Sequence, residues 1–366
     1  MPLLFSKKDP LAQPPKRSRR KLFIFGLPIL FLLILSGTIW FFGSKTPAKE
    51  EKTETPVVKE EPPKELASLV NGVMVAPEIY NRHPVAVMIE NSTAARPQSG
   101  LTSADVVYEA VTEGGITRFM GIFSTTLPTK AGPVRSARSY FIDYLSEYDA
   151  FYAHAGGSPT AIARISQYGV KDYPHSSDSY WREPRKGVAS EHTLFTDVSK
   201  IFNFGVSKKG WSATADIKPW TFKDPAPTAG VAANVTINFS TGQFNTVWNF
   251  DPTRNLYART MAGTPHKDAV SGEQITVRTL IAISVPHSSN PPYSGTGKES
   301  EWTMTTLGEG AATLFQDGVA TPARWKKANR TDRLKLYDAT TGTEITLNRG
   351  KIWVSIVPQE GNYSQI

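Results

Sequence analysis

DVVYEAVTEGGITRFMGIFS, residues 105–124, decides how this chain folds. Two runs rich in valine, isoleucine, phenylalanine and tyrosine flank Gly114-Gly115, a dipeptide that turns a chain tightly, so the stretch predicts two strands joined as a hairpin. Just upstream, HPVAVMIE (83–90) is a short apolar run closed by Asn91. That pattern predicts a buried strand with polar groups at its carboxyl end. Downstream, RSYFIDYLSEY (138–148) sets Tyr140, Phe141, Tyr144, Leu145 and Tyr148 at helical spacing, and residues 149–155 return to a strand pattern. Ser158 as N-cap and Pro159 at the first helical position open a second helix, TAIARISQYG. Thr196 with Asp197 caps a third, VSKIFNFGVSKKG. Alternating strands and helices predict an α/β domain over 67–211, a mixed sheet with helices.

Beyond Trp211 the pattern changes. Residues 212–230 are rich in Pro, Ala and Thr and read as a linker. From 231 to 366 short alternating segments follow one another, among them TVWNF, NLYART, QITVRTLIAISV and KIWVSIVP, with turns at Gln316-Asp317-Gly318 and Thr341-Gly342. They predict a β-rich domain, a sandwich or open barrel, in which Thr264 to Asp268 closes a hairpin. No segment repeats at a fixed period, which removes solenoids and propellers.

At the other end, residues 22–42 (LFIFGLPILFLLILSGTIWFF) carry no charge, and Lys16, Arg17, Arg19, Arg20 and Lys21 precede them. About 20 apolar residues at 1.5 Å each cross a ~30 Å hydrocarbon core, and the basic flank holds the N-terminal side in the cytoplasm. Leu22 to Phe42 is therefore read as a single-pass transmembrane helix, with a basic cytoplasmic tail at 1–21 and folded domains outside. A cleaved signal peptide needs a shorter apolar run and small residues after it, whereas this run ends in Trp40, Phe41 and Phe42. A lipidated anchor needs a cysteine, and the chain has none, which also removes disulfides and thiolate chemistry. Residues 43–66, dense in Pro, Lys and Glu, read as a disordered tether. The net charge of +8 is mostly this topology signal: residues 1–21 hold +6 and residues 43–66 hold −1, leaving +3 on the remaining 300. So dilute a charge predicts no nucleic-acid partner.

The residues that could carry chemistry cluster between 130 and 160. Arg135 and Arg138, three apart at a helix start, can present two guanidinium forks to one anion. Gly156-Gly157-Ser158 makes a strand-to-helix turn whose free N–H groups face the positive end of a helix dipole, an anion site beyond the carboxyl end of a strand. The competing readings are ion pairs from the arginines to Asp143 or Glu147, and a plain tight turn at the glycines. No hydrolase, metalloprotease or phosphate-loop motif occurs, and the sequence calls for no cofactor. His175, Asp178 and His192 lack close metal-ligand spacing, so no metal site is predicted.

Six segments together, Arg82 to Asn91, Ala95 to Leu101, Ala104 to Ala110, Glu113 to Phe119, Gly132 to Arg138 and His154 to Ser158, resemble the YerB-like family of bacterial envelope lipoproteins. The resemblance spans roughly residues 70 to 360 and includes Tyr257, Arg259, Gly263, His266, Asp268, Trp325-Lys326-Lys327 and Trp353. It implies a two-domain extracytoplasmic protein and carries over no reaction. Members often use a lipidated cysteine, and this chain departs from that. The polar residues inside the matched motifs are Arg96, Glu113, Arg118, Arg135, Arg138, His154 and His192. Two functions fit them. The first is binding of an anionic cell-wall or surface polymer through Arg96, Arg118, Arg135, Arg138 and the 156–158 turn. The alternative is a hydrolase or transferase on such a polymer, with Glu113 and His154 or His192 as acid and base. For His192 a hydrogen-bonded loop role competes.

Overall fold

The hairpin forms as read and lies in the middle of one large sheet. The computed structural model describes residues 64–173, 175, 178–226, 234–289, 301–359 and 362–365. In the first half these include β1 (Val85–Glu90), β2 (Val106–Val111), β3 (Thr117–Phe123), α1 (Ser139–Leu145), β4 (Phe151–Ala153), α2 (Pro159–Gln167), β5 (Asp172–Tyr173) and α3 (Val198–Lys209). In the second half come β6 (Val235–Ile237), β7 (Thr246–Asp251), β8 (Leu256–Met261), β9 (Thr279–Ser284), β10 (Gly308–Gln316), β11 (Val319–Lys327), β12 (Lys335–Asp338), β13 (Ile352–Val357) and β14 (Tyr363–Gln365). Gly114 and Gly115 take positive φ values, +65° and +73°, that glycine adopts at least cost, and this closes the turn between β2 and β3.

A single mixed sheet of ten strands runs β12-β11-β10-β9-β13-β2-β3-β1-β4-β5. Its two halves meet where β13 pairs in parallel with β2, from Ile352 opposite Val106 to Ile356 opposite Ala110. The strands expected to make a separate C-terminal sandwich or barrel are thus divided between two sheets. Strands β9 to β13 complete the central sheet, while β6, β7, β8 and β14 belong to a six-stranded second sheet. Local patterning specifies that a segment is extended but not which partner it takes, so the sharing of strands between the two sheets could not be read from it.

Every residue of β1, β2 and β3 is buried, as expected of strands covered on both faces. Ala86, Met88, Tyr108 and Met120 pack with α1 and α2 on one face. Val85, Val87, Phe119 and Trp353 on the other meet α3 and the inner face of the second sheet, including Val235, Trp248 and Tyr257. Helix α1 is buried along all seven residues, which accounts for its aromatic content. Ser158 caps α2 by accepting from the Ala161 N–H at 3.1 Å, and Asp197 caps α3 through the Lys200 N–H.

The segment read as a linker is in part core. Ala215, Ile217 and Trp220 are buried, Trp220 Nε1 donates to the Leu334 carbonyl at 2.6 Å, and Phe222–Lys223 pairs with Leu347–Asn348. The predicted transmembrane helix from Leu22 to Phe42, the tail before it and the tether up to residue 63 lie outside the described residues. Among the described residues no helix is long and apolar enough to cross a membrane.

Candidate functional site

A cleft of about 840 Å³ opens on the helix-bearing face at the carboxyl end of β1. Glu90 ends β1, and directly opposite it in the antiparallel register stands Arg118 of β3. With a period of two, both fall on the same face as Met88 and Met120, and both lie where the helices begin. The turn after β2 contributes Glu113, the segment before α1 contributes Arg135 and Arg138, the start of α2 contributes Gly157 and Ser158, and the 190–192 turn contributes Glu191 and His192.

The ion pairs here differ from the Asp143 and Glu147 pairings considered for the arginines. Arg138 holds Glu113 with two hydrogen bonds of 2.6 and 2.7 Å. Arg135 donates to Glu191 at 2.9 Å and lies 3.6 Å from Glu90. Asp143 is taken by Arg164 and Thr306, and Glu147 by Lys327 and Arg333. For Glu113, burial raises the carboxyl pKa, but the hydrogen bonds and charge of Arg138 outweigh it and leave the group below its ordinary value. A carboxylate so held is a poor proton donor near neutral pH.

Arg118 is different. It is 6% exposed, one Nη donates to the Ser136 carbonyl at 2.8 Å, and its Nε has no hydrogen-bond partner among the described residues. Nor does any described carboxylate come within ion-pair distance of it. Burial, reinforced by the neighbouring Arg138 charge, pulls its pKa down to about 10.

His192 Nδ1 lies 2.9 Å from both carboxyl oxygens of Glu90, which is 3% exposed. The Ser92 hydroxyl is a further 3.4 Å neighbour of that nitrogen. Neither Glu90 nor Glu191 was among the candidates read from sequence. The available signal was the charged residue closing the apolar run of β1, and the carboxylate adjoining His192.

Other expected site residues lie elsewhere or are otherwise engaged. His154 does not line the cleft: its Nδ1 donates to the Gly156 carbonyl at 2.7 Å and its Nε2 sits 3.0 Å from Asp172. The structure therefore does not bring Glu113 and His154 into one acid–base pair. Arg96 turns toward the second sheet, donating to the carbonyls of Asn91 and Gln243, and burial lowers its pKa to about 10. The 156–158 turn is stitched to the segment before α1: Ala137 N–H donates to the Gly156 carbonyl, Ser158 N–H donates to the Ala137 carbonyl, and the Ser158 hydroxyl donates to the buried Glu301 at 2.6 Å. The Ser158 donors thus serve the fold. No group of three or more metal-ligating side chains occurs among the described residues.

Behind the cleft a second buried network joins the two sheets. Arg259 makes two hydrogen bonds to Glu109, at 2.9 and 2.8 Å, and both side chains are fully buried. Trp353 Nε1 also donates to Glu109. Arg259 donates to His266 Nδ1, so the proton of this imidazole resides on Nε2, which donates to Gln98 at 2.7 Å. Burial and the charges of Arg259 and Arg96 keep His266 neutral, well below its ordinary pKa.

Residues 70–212 match the N-terminal domain, and residues 235–354 the C-terminal domain, of the protein of unknown function DUF3048. The chain belongs to the DUF3048 family. A relative in Bacillus subtilis (strain 168), named "Putative lipoprotein YerB", is 28% identical over 303 residues, covering 81% of this chain and 87% of that protein. The crystal structure of the YerB protein from Bacillus subtilis superposes with a TM-score of 0.72 at 26% identity, covering 82% of this chain and 100% of that one. The DUF3048 match spans both halves of the ten-stranded sheet, so the cleft and the buried Arg259 network both lie within family sequence.

Proposed function

We propose that this DUF3048 protein is anchored in the bacterial membrane, faces the envelope, and binds an anionic cell-wall or surface polymer in the cleft around Arg118. The observation that carries the reading is Arg118 itself. A buried guanidinium is costly unless a negative group answers it, and here no described carboxylate reaches ion-pair distance, Glu113 acting on it only as a more distant charge already held by Arg138. Arg135 and Arg138 are answered by glutamates, so the cleft offers one open cationic position instead of a broad basic field. A phosphate or carboxylate fits it, because each matches the planar fork of a guanidinium.

The name of the Bacillus relative supports placement at the membrane, and the uncharged run 22–42 behind a basic flank supports a protein helix as the anchor. Protease added to intact spheroplasts should digest the folded region. Its full protection would overturn the envelope placement.

Binding is tested by isothermal titration of the full chain with inorganic phosphate, acetate and phosphate-bearing wall fragments. Arg118→Met should weaken the tightest of these at least tenfold, while circular dichroism remains unchanged. Equal affinity in the variant would remove Arg118 from the site.

A further inference from the structure

We infer that the cleft hydrolyses phosphodiesters, with His192 as the base that activates water, Glu90 as its positioning residue and Arg118 as the group that meets the phosphoryl charge. The inference rests on the anion-binding reading of Arg118 and extends it from holding a ligand to cleaving one.

Both oxygens of Glu90 lie 2.9 Å from His192 Nδ1, and a carboxylate can only accept, so that nitrogen carries the proton. In the neutral ring Nε2 then has a bare lone pair. The Glu191 carboxylate lies 3.8 Å from it, beyond hydrogen-bonding distance, and its same oxygen accepts from Arg135 at 2.9 Å. Glu90 is nearly sealed from water whereas the His192 side chain remains 18% exposed at the cleft. A buried carboxylate fixing the tautomer of a half-open imidazole is the arrangement by which a histidine becomes an oriented general base. His154, by contrast, has a polar partner at each ring nitrogen.

The substrate class follows from what shares the cleft. In a phosphodiester the anion that a guanidinium binds is also the electrophile, so one cationic position and one base suffice. A carboxylic ester would need a separate place for its neutral carbonyl. Water gives a proton to His192 Nε2 as its oxygen forms a bond to phosphorus. The bond from phosphorus to the leaving oxygen then breaks, and the imidazolium returns the proton to that oxygen. The products are a phosphomonoester and an alcohol. Charge developing on the non-bridging oxygens is met by the unused donors of Arg118, in surroundings where water does not screen them.

The full chain is assayed with bis(4-nitrophenyl) phosphate between pH 5 and 9, alongside phosphate titration. Wild type should release nitrophenolate. His192→Gln should lower kcat at least 100-fold, as removal of a general base does, with phosphate affinity kept within twofold. Glu90→Gln should lower kcat at least tenfold with KM little changed and displace the rising limb of the pH–rate profile. Because Glu90 is buried and its variant can misfold, His192→Gln and the wild-type pH profile decide independently of it. Full turnover in His192→Gln, or phosphate binding abolished by Arg118→Met with no wild-type turnover at any pH, would overturn hydrolysis; the latter leaves the binding site standing. Absence of both binding and turnover would overturn both.

Discussion

Glu113 and Glu90 occupy the same cleft and do opposite things. Glu113 is locked to Arg138 and reads as an anchor of the 112–116 turn, whereas Glu90 faces an imidazole whose far nitrogen is open. Because Glu113 titrates below its ordinary value of 4.5 in the fold, its ion pair stabilises fully above the unfolded pKa and is lost as pH falls through the lower, folded one. Urea unfolding should therefore find Glu113→Gln less stable than wild type at pH 7, with the gap closing below about pH 4. A gap that persists undiminished at pH 3 would show that Glu113 acts through something other than its charge. At this scale the sequence was only half legible. It marked Arg118, Arg135, Arg138 and His192 as polar residues within distinctive motifs. It gave no means of knowing that Arg118, unlike Arg135 and Arg138, has no carboxylate at ion-pair distance, since that depends on which glutamates the fold brings near.

The elements were legible wherever a local signal was chemical. Ser158 and Pro159 start α2, Asp197 starts α3, and paired glycines close the β2–β3 turn, because capping and left-handed φ are satisfied within a few residues. Ser158 shows how such a signal can be misread for function. Its oxygen accepts from Ala161 N–H and its proton goes to Glu301, which also receives the Ser139 N–H at the start of α1. One carboxylate thus ties the beginnings of both helices together, and nothing is left for a ligand. Ser158→Ala should cost about 1–2 kcal/mol by chemical denaturation, the range of a lost N-cap, with phosphate affinity within twofold of wild type. A tenfold loss of affinity at unchanged stability would return Ser158 to the binding site.

At the scale of the molecule, β13 beside β2 is the decisive pairing, for it makes a single sheet of strands more than 240 residues apart in the chain. The Arg259–Glu109 pair, wrapped by Phe119, Trp248 and Trp353, then fixes the second sheet to the first. A fragment of residues 64–226 would expose the whole β2 edge and the apolar face that the second sheet covers. It should lack a cooperative unfolding transition and bind a hydrophobic dye. Sharp two-state unfolding of that fragment would show the N-terminal half to be self-sufficient. The sequence by itself determined the strands, the caps, the charge distribution and the family, since each is written in contiguous residues or in their spacing. Only the tertiary structure decided that the two halves share a sheet, that the expected linker contributes Trp220 to the core, and that Arg118 and the Glu90–His192 pair meet in one cleft. Strand partners and counter-charges are chosen by contacts between distant segments, where burial and register outweigh any local preference.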